Sequence, residues 1–135
     1  MVESSGYFGS ATARAEGVEG RFAPIDSQPM ITPSPGVHLQ PVAGARLLLC
    51  RATFETHSEA PVHTHEEEQM GIVVSGSGDF HLDGATRRVG PGDTYHAPPG
   101  VGHGLRAGAE GCVLIDVFSP PRAALMELIE AAGKD

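Results

Sequence analysis

PVHTHEEEQMGIVVSG, residues 61–76, followed after a short interval by GDTYHAPPGVGH, residues 92–103, decides how this chain folds. Along an extended strand, residues two apart project to the same side. His63 and His65 therefore face one way, with Val62 and Thr64 turned outward. Two imidazoles on one face can hold a divalent metal. A turn through Glu66, Glu67 and Glu68 would bring Gln69 back on the neighbouring strand as a further oxygen ligand. A turn leaves register weakly specified, so one of the three glutamates is an alternative ligand. The second stretch sets His103 behind Pro98 and Gly100, in tight corners suited to delivering one more imidazole.

Outward from this centre the chain alternates short apolar runs with turn residues. The runs lie at about residues 45–55, 70–75, 79–82, 86–89, 93–97 and 112–118. Asp83-Gly84 between Leu82 and Ala85 predicts a hairpin, because both positions of such a turn need positive φ. Many short strands at this spacing predict an all-β sandwich or barrel. One helix is predicted at the C-terminus, with Ser119 as its cap, Pro120 and Pro121 in its first turn and Gly133 at its stop. Leu125, Leu128, Ile129 and Ala132 would form its apolar stripe. The expected organisation is an arm over 1–35, flexible through the first twenty residues and extended through the prolines after them, a barrel over 36–122, and a packed helix over 123–135.

The strand around residues 113–118 places Val113, Ile115 and Val117 on one face and Leu114, Asp116 and Phe118 on the other. A carboxylate in so apolar a run needs a partner or a task. Asp116 points into the barrel, or faces solvent, or pairs with Arg122. Of Tyr95 and His96, one should line the interior, with the balance toward His96. His38 and His57 read as exposed, and Cys50 and Cys112 as buried, reduced thiols.

The chain has 135 residues, enough for one domain. Its 18 glycines and 11 prolines argue against a helical bundle. Nine basic against 17 acidic residues give a net charge of −8, which would repel a phosphate backbone. No apolar run approaches the roughly 20 residues needed to span a bilayer, and the first residues, with no basic region followed by an apolar stretch, do not read as a secretory signal. Nucleic-acid and membrane partners are disfavoured, and a cytoplasmic location is expected.

The two histidine stretches resemble the paired motifs of the cupins. His63, His65, Gln69 and Gly76 match the first, and Gly92, Pro98, Gly100 and His103 the second, with 15 residues between Gly76 and Gly92. The resemblance implies a double-stranded β-helix, the cupin jelly-roll barrel, with one short C-terminal helix. It also implies one divalent transition metal (Mn, Fe, Ni or Zn) held by His63, His65, Gln69 and His103. Two motif positions depart from the pattern, His57 for a glycine and Ala107 for an asparagine, and Gln69 stands where most cupins carry glutamate. More narrowly, VLIDVFSPPR (residues 113–122) resembles the last strand of the KdgF-like pectin-degradation cupins, which open the ring of 4,5-unsaturated galacturonate. That resemblance implies that Asp116, Phe118 and Arg122 line the pocket. Asp116 would be the acid–base, Arg122 the partner of a small anionic substrate's carboxylate, and Phe118 an apolar wall. It implies a homodimer as well. A cupin dioxygenase, another isomerase, and a non-catalytic metal- or ligand-binding cupin are the alternatives.

Overall fold

The computed structural model describes residues 7–9, 16–17 and 19–133, so the expectation for the first twenty residues falls largely outside the described residues. Among the described residues, a 3-10 turn at Ile25–Ser27 leads into eight strands and one helix. The strands are β1 (Ile31–Ser34), β2 (Val37–Ala43), β3 (Leu48–Phe54), β4 (Glu59–His63), β5 (Glu68–Leu82), β6 (Ala85–Val89), β7 (Thr94–Ala97) and β8 (His103–Ser119), followed by α1 (Ala123–Ala132). All pairings are antiparallel. The path runs β1-β2-β3-β8-β5-β6, with β4 on β8 and β7 on β5.

Two long strands build the jelly roll. The second half of β8 pairs with β3 and the start of β5; its first half pairs with β4 and the end of β5. Both strands bend at glycine. Gly76 and Gly111 take φ of 74° and 73°, and a side chain on Gly76 would strike the Gly111 carbonyl. These glycines turn the sheet without ending its strands. The runs at 70–75 and 79–82 thus belong to one strand, and 112–118 is the end of a longer one. The predicted hairpin is present, with Asp83 and Gly84 at φ of 49° and 81°.

Alternation along β8 is as expected. Cys112, Leu114, Asp116 and Phe118 are buried, and Val113, Ile115 and Val117 half-buried on the outer face. One core cluster gathers Val37, Ala52, Phe54, Val73, Phe80, Leu105 and Leu114; a second gathers Ile31, Leu48, Cys50, Phe118 and Leu125. Both cysteines are free and buried. His57 is exposed and holds φ of 59°, so it adopts the left-handed backbone of the glycine it replaces. His38 is half-buried rather than exposed, bonded to Thr32 and Glu55.

Two elements differ from expectation. Ile31–Ser34, inside the proline-punctuated arm, forms a strand against β2. The helix starts later than its prolines suggest: Arg122 is its N-cap, Ser119 closes β8 instead, and Gly133 follows the last turn as expected. Only part of the predicted stripe packs. Leu125 is buried and Ile129 half-buried, while Leu128 and Ala132 are exposed.

Candidate metal centre

His63 ends β4 directly opposite His103, which begins β8, so their rings meet with centroids 4.5 Å apart. His65 lies two residues beyond the strand, held where Gly100 N–H donates to its carbonyl at 2.9 Å. Its ring centroid is 4.8 Å from that of His103 and 5.7 Å from that of His63. One ring nitrogen from each of the three lies within 4.8 Å of the others.

The backbone fixes which nitrogen faces inward. A carbonyl oxygen only accepts, so each Nδ1 must donate: His63 to Pro61 at 2.7 Å, His65 to Glu67 at 2.9 Å, His103 to Val101 at 2.9 Å. Each Nε2 is left with a lone pair. Burial holds His65 and His103 below the usual imidazole pKa, which favours that neutral, ligating form. His103 Nε2 is buried with no hydrogen-bond partner, a costly state unless a cation accepts its lone pair.

Gln69, on β5, is buried and turns its Oε1 to within 3.1 Å of His65 Nε2. With Nδ1 of His65 committed to donation, both facing atoms are lone-pair donors. Two ligands each about 2.1 Å from one cation and at right angles to each other stand about 3.0 Å apart. The donor set therefore fits a divalent metal on His63, His65, Gln69 and His103. It adds no negative charge, so the charge of a metal bound there would stay available to an anion. Glu66 and Glu68 are exposed, while Glu67 is bonded elsewhere, to the Ala123 N–H.

Asp116 adjoins this group from β8. The Tyr95 hydroxyl donates to its Oδ1, and this bond and the nearby Gln69 side chain favour the carboxylate. Burial nevertheless pushes its carboxyl up to about 6. Tyr95, also pushed up by burial, stays a phenol. This corrects the balance toward His96: Tyr95 is the buried member of β7, and His96 is exposed, paired with Glu68 at 2.6 Å. The alternative Asp116–Arg122 ion pair is not formed among the described residues.

A cavity of about 360 Å³ opens beside the imidazoles. His63, Gln69, His103, Asp116, Phe118 and Arg122 border it, as do Leu125 and Leu128 of α1. Its remaining wall is mostly apolar, including Phe54, Phe80, Leu105 and Leu114. The sequence offered Tyr95 only as the less favoured partner of His96 and Glu67 only as an alternative ligand; it gave no sign of the Glu67 bond to the Ala123 N–H or of the contribution of α1 to the cavity.

Comparison with known proteins agrees with this geometry. The cupin domain model matches residues 50–118. The pectin degradation protein KdgF of Dickeya dadantii is 40% identical over 62 residues, covering 45% of this chain and 56% of that protein. The chain spans about half the length of the curated relatives it matches. The structure of KdgF from a Halomonas species superposes with a TM-score of 0.73 at 29% identity, covering 79% of this chain and 99% of the other. An RmlC-like cupin from Shewanella frigidimarina gives the same TM-score, 0.73, at 28% identity, with coverages of 79% and 96%. Matched by the family model across half its length, this chain belongs to the cupins, as a small cupin of KdgF-like pattern.

Proposed function

We propose that this cupin is a metal-dependent enzyme that opens the ring of a 4,5-unsaturated uronate, the reaction implied by its KdgF-like pattern. The observation that carries the reading is one cavity bordered by His63, Gln69 and His103, by the buried Asp116, and by Arg122 and Phe118. A bound divalent metal would supply Lewis-acid polarisation of substrate oxygens. Arg122, with no carboxylate partner among the described residues, pairs with the substrate carboxylate. Phe118 closes an apolar wall beside His65, ring centroids 5.8 Å apart, and excludes water.

Asp116 moves the proton. As its carboxylate it takes the proton of the C1 hemiacetal hydroxyl while the bond from C1 to the ring oxygen breaks. C1 becomes the aldehyde, and the electron pair leaves on the ring oxygen as an enolate conjugated with the 4,5 double bond. The proton then returns to C4, giving the open-chain keto acid with no net change in atoms. A carboxyl held up to about 6 by burial can both accept and return that proton near neutral pH.

The test follows loss of the enol-ether absorbance of unsaturated galacturonate with metal-loaded protein. No acceleration, or full activity in Asp116→Ala, sinks the reading. The apolar wall of Phe54, Phe80, Leu105 and Leu114 favours a second reading, another isomerase acting on a less hydroxylated acid. A substrate panel in which such an acid turns over and the uronate does not would select it.

The expected homodimer stays within this proposal. Leu49, Val117 and Met70 lie side by side across β3, β8 and β5, as do Ile115 and Ile72 across β8 and β5. Leu49, Met70 and Ile72 are exposed large apolar residues, a face suited to a second copy of the sheet. Among the described residues no helix is long and apolar enough to cross a membrane. A cytoplasmic location belongs to the same proposal.

A further inference from the structure

We propose that Glu67 is a positioning residue that fastens Arg122, through the start of α1, to the loop carrying His65. The inference rests on the reading of Arg122 as the anion partner. Within the acidic run, Glu66 and Glu68 are exposed, but the Glu67 side chain is only 12% exposed. Its Oε2 accepts the Ala123 N–H at 2.9 Å, across 56 residues of sequence. The same residue's carbonyl accepts the His65 Nδ1–H at 2.9 Å, and its Oε1 lies 3.5 Å from that nitrogen. One residue thus holds a ligand ring by its backbone and a helix by its carboxylate.

The helix needs that hold. Its first turn contains no acidic residue, and Arg122 as N-cap makes no side-chain cap bond. The opening N–H groups of a helix have no intrahelical partner, and a carboxylate there satisfies both the hydrogen bond and the helix dipole. Ten residues make a helix that is marginal in isolation, so docking decides where it starts. Arg122 is covalently next to the bonded Ala123 and borders the cavity. Fixing the Ala123 amide therefore fixes the base of the guanidinium arm relative to His65. Bond, burial and adjacency give this glutamate a job that neither a metal ligand nor a solvated turn residue would have.

The experiment uses the full chain loaded with zinc, and compares Glu67→Ala, Glu67→Gln, Arg122→Ala and the double variant Glu67→Ala/Arg122→Ala. Exchange of the Ala123 amide is read by NMR, and binding of galacturonate and of acetate by titration. Loss of a helix cap corresponds to about a tenfold change in an equilibrium. In Glu67→Ala, Ala123 exchange should quicken by about tenfold and galacturonate binding should weaken by a similar factor. Zinc affinity should change far less, because the bond to His65 Nδ1 is made by the backbone. Glu67→Gln keeps an acceptor oxygen and should restore slow exchange and most of the anion affinity. In the Arg122→Ala background, Glu67→Ala should weaken anion binding no further, the mark of action through that arginine.

Unchanged Ala123 exchange in Glu67→Ala, or an undiminished loss of anion affinity in the Arg122→Ala background, overturns the inference. If the wild type binds acetate but not galacturonate, the uronate reading alone fails, and acetate then carries the same comparison. If it binds neither anion, the inference falls.

Discussion

Replacing Gly71 with alanine should damage the site and the fold together. Gly71 lies on β5 between two partners in register, Tyr95 on β7 and Asp116 on β8. The two side chains meet over the space a Cβ would fill, and an added methyl would collide with the Tyr95 hydroxyl, its ring carbon and Asp116 Oδ1. Tyr95 and Asp116 are both buried, 6% and 7% exposed, so neither can swing into water. Overpacking a filled core costs about 1–3 kcal/mol, and leaving a buried polar partner unsatisfied costs about 1–3 kcal/mol more. A loss of about 3 kcal/mol is expected, roughly 10 °C in Tm for a chain of this size. The sign is diagnostic, because glycine-to-alanine changes at unstrained, uncrowded positions stabilise by about 0.4–1 kcal/mol. Urea unfolding of Gly71→Ala, Tyr95→Phe and the double variant measures it. Tyr95→Phe removes only the hydroxyl and should cost about 1–2 kcal/mol. The double variant should cost less than the sum, by at least about 0.5 kcal/mol. A neutral or stabilising Gly71→Ala, or strict additivity, would refute the idea that the glycine exists to let this pair meet.

Three further outcomes are expected. Zinc at about a hundred times its dissociation constant should stabilise the protein by about 2.7 kcal/mol, an increment that His103→Ala abolishes in a thermal-shift titration; equal stabilisation of that variant would dismiss the imidazole site. Leu105→Ala should cost about 3 kcal/mol in urea, because Leu105 is 2% exposed and packed in the larger core cluster; a loss under about 1 kcal/mol would mean the barrel collapses around it. In metal-free protein, Asp116 should make stability fall with rising pH, since its carboxyl moves from 3.8 up to about 6 and the fold prefers it protonated. That contribution is full below about pH 4 and lost through about pH 6, to a total of about 3 kcal/mol. His65 and His103, lowered by burial, act with the opposite sign, losing stability as pH falls. The wild-type curve alone therefore hides the effect, and the difference between wild type and Asp116→Asn isolates it; a flat difference from pH 4 to 7 would show that Asp116 is not desolvated.

What could be read from the chain depended on whether the cause was local. His63 opposite His103, and Asp116 beside Leu114 and Phe118, follow from two-residue alternation along strands with apolar neighbours. Strand parity needs a reference point, and the segment before Pro98 offered none, so Tyr95 and His96 were not separable. Their register partners decide it: Tyr95 pairs with Gly71, whose open face admits the phenol, and His96 pairs with the exposed Met70. The gap between the runs at 70–75 and 79–82, which holds Gly76 and Gly78, reads as a break between strands, although β5 runs through it and bends at Gly76, as β8 does at Gly111. β1 carries Pro33 and β2 carries Pro41; each proline lacks the N–H of an ordinary strand residue, which obscures the pattern although both segments pair.

The start of α1 shows the same limit most sharply. Ser119 has the chemistry of a cap and stands before two prolines, yet the helix begins at Ala123 because its first amide is satisfied by a carboxylate 56 residues earlier. That carboxylate sits among three glutamates that look interchangeable in sequence. What separates Glu67 from Glu66 and Glu68 is its position in the turn between His65 and Gln69, which aims only the middle side chain at the helix. The turn that returns Gln69 to the imidazoles therefore also determines where the helix starts. In this barrel the candidate metal ligands and the arginine that borders the cavity are therefore not independent choices. Lengthening or shortening the glutamate run by one residue would move Gln69 and release Ala123 together, so the run's length is constrained from both ends.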